Sequence, residues 1–98
     1  MDDNTALNKK EKEQYVDVVN FTFNILFEEP DLTEEEIHIR ASLNLPDVSL
    51  IDFASLREIM VDRLRVVGKS RYSTELEYRM KRILKIIMIE HDIDWLEN

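Results

Sequence analysis

Residues 73–90 read STELEYRMKRILKIIMIE, and their pattern decides between a helical protein and a mixed one. Leu76, Met80, Ile83, Leu84, Ile87 and Met88 recur at intervals of three and four, which places them on one side of a helix. Within the stretch, Ile86-Ile87-Met88-Ile89 is an apolar run of strand length. That run continues the helical phase and no hairpin signal flanks it, so the stretch predicts a helix over 74–91. Ser73 or Thr74 supplies the hydroxyl that caps the free amides of its first turn.

Upstream, Gly68 is the chain's only glycine and stands where a helix needs its C-terminal cap. Before it, Leu50, Phe53, Ala54, Met60, Val61 and Leu64 predict a third helix over 49–67, capped by Asp47 or Ser49 after the break at Leu45-Pro46. Thr33 and Glu36 form a capping box that opens a second helix over 33–44. Glu29-Pro30-Asp31 stops the first helix, predicted over 9–28, because the residue before a proline is biased away from helical angles. This first helix carries one stripe of Tyr15, Val18, Val19, Thr22 and Leu26. A second stripe, Val16, Phe23 and Phe27, runs on a neighbouring face with Phe21 and Ile25 beside it. A helix apolar around so much of its girth is central to a core or meets another chain. The expected fold is all-α, a small four-helix bundle in a single domain of residues 1–98, with 1–8 mobile and with Trp95 and Leu96 folded back as a terminal anchor.

Composition supports this. One glycine, two prolines and 35% charged residues describe long regular elements with few tight turns. The absence of cysteine excludes disulfides, thiolate metal sites and thiol nucleophiles, and points to a reducing compartment. Met1-Asp2-Asp3-Asn4 is acidic where an export signal is basic and then apolar, and no apolar run approaches membrane-spanning length. The expected location is cytoplasmic, with no membrane association. Net charge is −8, unevenly spread: residues 1–36 hold eleven acids against three lysines, whereas residues 63–85 hold eight basic side chains against Glu75 and Glu77.

Several short patterns suggest chemistry and fail on their partners. Gly68-Lys69-Ser70 matches the end of a phosphate-binding loop, but Arg63 occupies the position of the required upstream glycine and the preceding segment is helical. Glu35 and His38 make one E-x-x-H step of the two that a carboxylate-bridged metal pair needs; His91 has Met88 where its glutamate would stand. Neither histidine is patterned to activate a Ser or Thr nucleophile. Residues 34–60 have the rhythm of a helix-turn-helix, yet no basic residue lies between Arg40 and Arg57 to meet phosphates.

Family resemblances are partial. Leu56-Arg57-Glu58, Gly68 and Ser73-Thr74-Glu75-Leu76-Glu77 together are similar to the helical hairpin of the small sporulation aspartyl-phosphate phosphatases. Thr74 and Glu77 replace the Gln and Asp of that family's S-Q-E-L-D motif, and the loop after Gly68 is shorter than theirs. Asn24 to Arg65 resembles, in apolar spacing alone, the small helical two-component connector proteins of enteric bacteria. Asp47-Val48-Ser49-Leu50 holds one residue more than the Asp-Ser-Leu attachment site of carrier proteins. No family is identified from these.

The function these features predict is a non-enzymatic, small acidic protein–protein interaction module acting as a regulator, such as an adaptor, inhibitor or immunity-type protein, that also self-associates as a homodimer. Its expected partner is another protein with a basic surface. Glu28, Glu29, Asp31, Glu34 and Glu35 supply the acidic surface, and Val16, Phe23 and Phe27 the apolar contacts. No catalytic, cofactor-binding or metal-binding residue is expected. The alternative is a helix-turn-helix-like transcriptional regulator that binds nucleic acid through Arg63, Arg65, Lys69, Arg71 and Arg82.

Overall fold

Four helices account for the secondary structure of the computed structural model, which describes residues 3–68 and 73–93: α1 (Asp3–Glu28), α2 (Glu34–Asn44), α3 (Phe53–Gly68) and α4 (Thr74–Glu90). No strand occurs among the described residues, and residues 86–89 are helical. The protein is an all-α four-helix bundle. Lys69, Ser70, Arg71, Tyr72, Trp95 and Leu96 lie outside the described residues, so the terminal anchor and the geometry following Gly68 do too. Gly68 itself is the last helical residue of α3.

Local chemistry sets most of the boundaries. The Glu29 amide still donates to the Ile25 carbonyl at 3.1 Å, but Pro30 has no N–H with which to extend α1. At α2 the capping box closes in both directions: the Glu36 amide donates to Thr33 Oγ1 at 3.2 Å, and the Thr33 amide donates to Glu36 Oε1 at 3.3 Å. Ser73 caps α4, its hydroxyl accepting from the Leu76 amide at 3.1 Å. The far end of α4 closes as a Schellman motif, with Ile93 N–H on the Met88 carbonyl at 2.8 Å and Asp92 N–H on the Ile89 carbonyl at 3.1 Å.

Two boundaries differ from the spacing. The first helix begins at Asp3, six residues before the predicted start, since no glycine or proline separates residues 3–8 from the periodic segment. The third begins at Phe53, four residues late, and its cap is Asp52 rather than Asp47 or Ser49. Asp52 Oδ1 accepts from the Ala54 amide at 3.1 Å and Oδ2 from the Ser55 hydroxyl at 2.8 Å. What holds residues 49–52 out of the helix is α1. The Leu50 amide donates to Gln14 Oε1 at 2.8 Å and the Asp52 amide to the Tyr15 hydroxyl at 3.0 Å, while Leu45 and Val48 are buried beneath them. Asp47 instead accepts from the Ser49 amide at 3.0 Å, closing a local turn.

The core gathers around α4, the helix that packs against each of the other three. Met80, Ile83, Leu84, Ile86, Ile87 and Met88 are all buried, covering more than half of its circumference. Against them stand Val18, Thr22 and Leu26 of α1, Ile37 and Ala41 of α2, and Phe53, Leu56, Met60 and Leu64 of α3. Each of the Val, Leu, Ile, Phe and Met side chains among these contributes about 1.5–3 kcal/mol relative to exposure. The expected stripes of α1 and α4 are thereby confirmed; Leu50, Ala54 and Val61 are only half-buried, and Leu56 takes the central place on α3.

Candidate interaction surface

One side of α1 is committed to the core through Gln14, Val18, Thr22 and Ile25. The opposite side is apolar as well. Val16 is 55% exposed and Phe27 40% exposed, with Phe23 half-buried between them and its ring centroid 5.9 Å from that of Phe27. Asn20 and Asn24 lie along the same stripe, and Glu13, Asp17 and Glu28 flank it, all exposed. A helix that buries one face and shows phenylalanine on the other carries apolar surface beyond what its own fold uses.

The five predicted acidic residues divide into two groups. Glu29 receives the Arg40 guanidinium and the Asn24 side-chain amide, and Glu34 receives the Arg82 guanidinium. The bond to Glu29 raises the Arg40 pKa above its ordinary value. Glu28, Asp31 and Glu35 are exposed and make no ion pair with a described residue. Of the five predicted acids, these three are the ones that no described cation engages.

The predicted basic residues are dispersed. Arg63 is exposed on α3; Arg65 lies 3.8 Å from Glu77; Arg82 is engaged by Glu34; Lys69 and Arg71 fall outside the described residues. Arg79 donates to the Pro30 carbonyl at 2.5 Å, so α4 reaches back to the acidic half of the chain at two points. The helix-turn-helix rhythm also resolves differently. Eight residues, 45–52, join α2 to α3 and bury Leu45 and Val48, where that motif uses a turn of three or four.

His38 Nδ1 lies 3.1 Å from Glu90 Oε2 across the α2–α4 interface, and since a carboxylate only accepts, Nδ1 carries the hydrogen. No group of three metal-ligating side chains occurs among the described residues. The two shifted carboxylates, Asp47 and Asp52, lie low because the Ser49 amide and the Ser55 hydroxyl respectively donate to their charged forms. Both are local turn and cap groups.

A further surface escaped the sequence reading. Between α2, α3 and α4 runs a groove of about 650 Å³ whose floor includes Phe53, Leu84 and Met88. Along its α4 side stand Tyr78, Arg82, Lys85 and Ile89; Tyr78 is 66% and Ile89 46% exposed. Their spacing of four, three and four was legible as a second face of α4, but the buried stripe beside it is stronger and dominates the pattern. The walls from α2 and α3 come together only in three dimensions. No helix among the described residues is long and apolar enough to cross a membrane. No family model, curated protein or solved structure matches the chain.

Proposed function

We propose that this protein is a non-enzymatic regulatory binding module, an adaptor or inhibitor, that engages a basic protein partner through α1 and the start of α2. The observation that carries this is the outer stripe of α1, where Val16 and Phe27 face solvent with Glu28 beside them. Apolar anchors hold a complex, and like-signed charge around them attracts a partner of opposite sign and speeds encounter. Glu28, Asp31 and Glu35 serve that role, because internal arginines do not neutralise them. The cytoplasm, where cysteine-free chains are at home, is the proposed setting.

The test is capture from a native cytosolic extract followed by calorimetry with the purified captured protein, using wild type and the E28K/D31K/E35K variant. Expected is one basic protein bound in stoichiometric amount by the wild type, with affinity reduced at least about tenfold in the variant, a change of roughly 1.4 kcal/mol. Equal binding by both proteins rejects the acidic surface. Recovery of nucleic acid, undiminished in the variant and steeply salt-sensitive, moves the function to the transcriptional-regulator alternative.

A further inference from the structure

The exposed side of α1 has the order of a coiled-coil seam. Lys9, Glu13, Val16, Asn20, Phe23 and Phe27 follow one another at alternating intervals of four and three, and all are exposed except the half-buried Phe23. In heptad terms Glu13, Asn20 and Phe27 take position a, and Lys9, Val16 and Phe23 take position d. Lys12 and Asp17 then fall at g and e, on the two edges of the seam, and both are exposed. The bundle uses the other positions: Gln14, Val18 and Ile25, at b and f, are buried in the core. Seam and core therefore occupy opposite sides of one helix.

A partner for this seam is a helix that meets Val16, Phe23 and Phe27 with apolar groups, Asn20 with an amide, Lys12 with an acid and Asp17 with a cation. The α1 helix of a second copy, laid parallel and in register, supplies all of these. Val16, Phe23 and Phe27 each meet their own counterpart, and the two Asn20 side chains face each other, the arrangement by which a lone asparagine at position a fixes register. Lys12 of each copy falls beside Asp17 of the other, five residues on, and symmetry makes this pair twice. Neither Lys12 nor Asp17 makes an ion pair with a described residue of its own chain, so both are open to it. Glu13 meets its own counterpart at the N-terminal end of the seam, where Lys9 of both copies stands one layer away to offset the repulsion. An antiparallel pairing that sets Val16 against Phe27 puts Asn20 against Phe23 and parts Lys12 from Asp17. Each α1 is already helical within its own bundle, so pairing avoids the nucleation cost that leaves short free helices marginal.

We infer that the outer side of α1 docks a second copy of this chain as a parallel, in-register helix pair. The contact is isologous, the same seam on both copies about a two-fold axis, so it closes at two chains. It rests on the assignment of α1 as an interaction face, and it gives that face an occupant of its own. A basic partner and the second copy cover the same Val16 and Phe27, so they compete, and dimerisation masks the binding surface.

Sedimentation velocity on the full chain, from about 10 μM to about 1 mM at about 0.15 M NaCl, tests this. The wild type is expected to rise with concentration towards twice the monomer mass and no further. K12D and D17K each set like charges side by side at two places, and each is expected to weaken the dimer at least about fivefold. D17K separates pairing from overall charge, because it moves the net charge from −8 to −6, which by itself eases association. The K12D/D17K double variant keeps the net charge and reverses the pair. It and a 1:1 mixture of the two single variants are both expected to return to within about twofold of the wild-type affinity. Orientation is read from Glu13→Cys, on a chain with no other cysteine. Oxidised glutathione is expected to link two copies through position 13, which the antiparallel pairing holds seventeen residues, or about 26 Å, apart along the axis. Circular dichroism melts establish that each variant is folded; Lys12, Glu13 and Asp17 are exposed, so the bundle does not depend on them. A monomeric wild type, single variants that associate as the wild type does, a double variant that stays dissociated, or a Glu13→Cys chain that stays unlinked overturns the pairing. None of these outcomes touches binding of a foreign basic protein, which the E28K/D31K/E35K comparison reads independently, with Lys12 and Asp17 in place.

Discussion

Asp92 has a backbone φ of 58°, the one positive value at a non-glycine residue among those described. It occupies the left-handed position of the motif that closes α4, a place glycine usually takes because its missing Cβ avoids the clash with the following carbonyl. For an L-residue that clash costs about 1–2 kcal/mol, which aspartate tolerates better than most. A carboxylate at a helix C-terminus also faces the negative end of the dipole. Glycine would relieve both, but its freer unfolded chain returns some of the gain, by about 0.4–1 kcal/mol. Steric relief is the larger effect, so Asp92→Gly is expected to raise stability by about 0.5–1 kcal/mol and the melting temperature by several degrees in thermal denaturation. An unchanged or lower melting temperature would mean that the Asp92 side chain stabilises the end of α4 in some other way.

Among the elements, α3 best shows a helix start chosen by its neighbours. The Leu50 and Asp52 amides go to Gln14 and Tyr15 on α1, which leaves Asp52 as the first residue placed to cap. Its pKa lies below the ordinary aspartate value, chiefly because the Ser55 hydroxyl donates to the carboxylate. A carboxylate depressed in the folded state contributes stability that is fully present above its unfolded pKa and disappears as pH falls through the folded one. Asp52 therefore adds to acid sensitivity below about pH 4. Asparagine retains capping capacity without titrating. Asp52→Asn is expected to lose less stability than wild type between about pH 5 and pH 2, measured by urea unfolding across that range. Parallel curves for the two proteins would show that the cap does not discriminate charge.

For the molecule as a whole, the question is whether its charges attract or repel on balance. Glu34–Arg82, Glu29–Arg40 and Lys10–Asp47 join different parts of the chain, but their side chains are substantially exposed, and solvent-screened pairs of this kind contribute little. Opposing them is a net charge of −8 on 98 residues, which repels itself when the chain is compact. Repulsion is long-ranged and salt screens it first, whereas contact pairs are screened less. The melting temperature is therefore expected to rise by a few degrees on going from low salt to about 0.5 M NaCl, at concentrations low enough to keep the protein monomeric. A fall would show that the cross-chain pairs outweigh the net charge.

Local signals sufficed where a helix depends on its own residues. The capping box at Thr33, the hydroxyl of Ser73, the stop at Pro30 and the three-four spacing of α4 each act within a few positions, so the sequence by itself determined four helices and the side of α1 and α4 that enters the core. It also marked Val16, Phe23 and Phe27 as apolar groups in excess of one buried face, of which Val16 and Phe27 stand exposed. Tertiary structure decided what depends on residues far apart in the chain. Asp47 and Ser49 carry good capping chemistry, but Gln14 and Tyr15 hold the amides beyond them, 36 and 37 positions away. Glu29 and Glu34 read as open acids until packing brings Arg40 and Arg82 to them, and the α4 groove exists only once three helices supply its walls. The physical reason is common to all three: a backbone amide, a charge or a groove wall takes its role from the partner that packing delivers, and sequence distance does not reveal that partner.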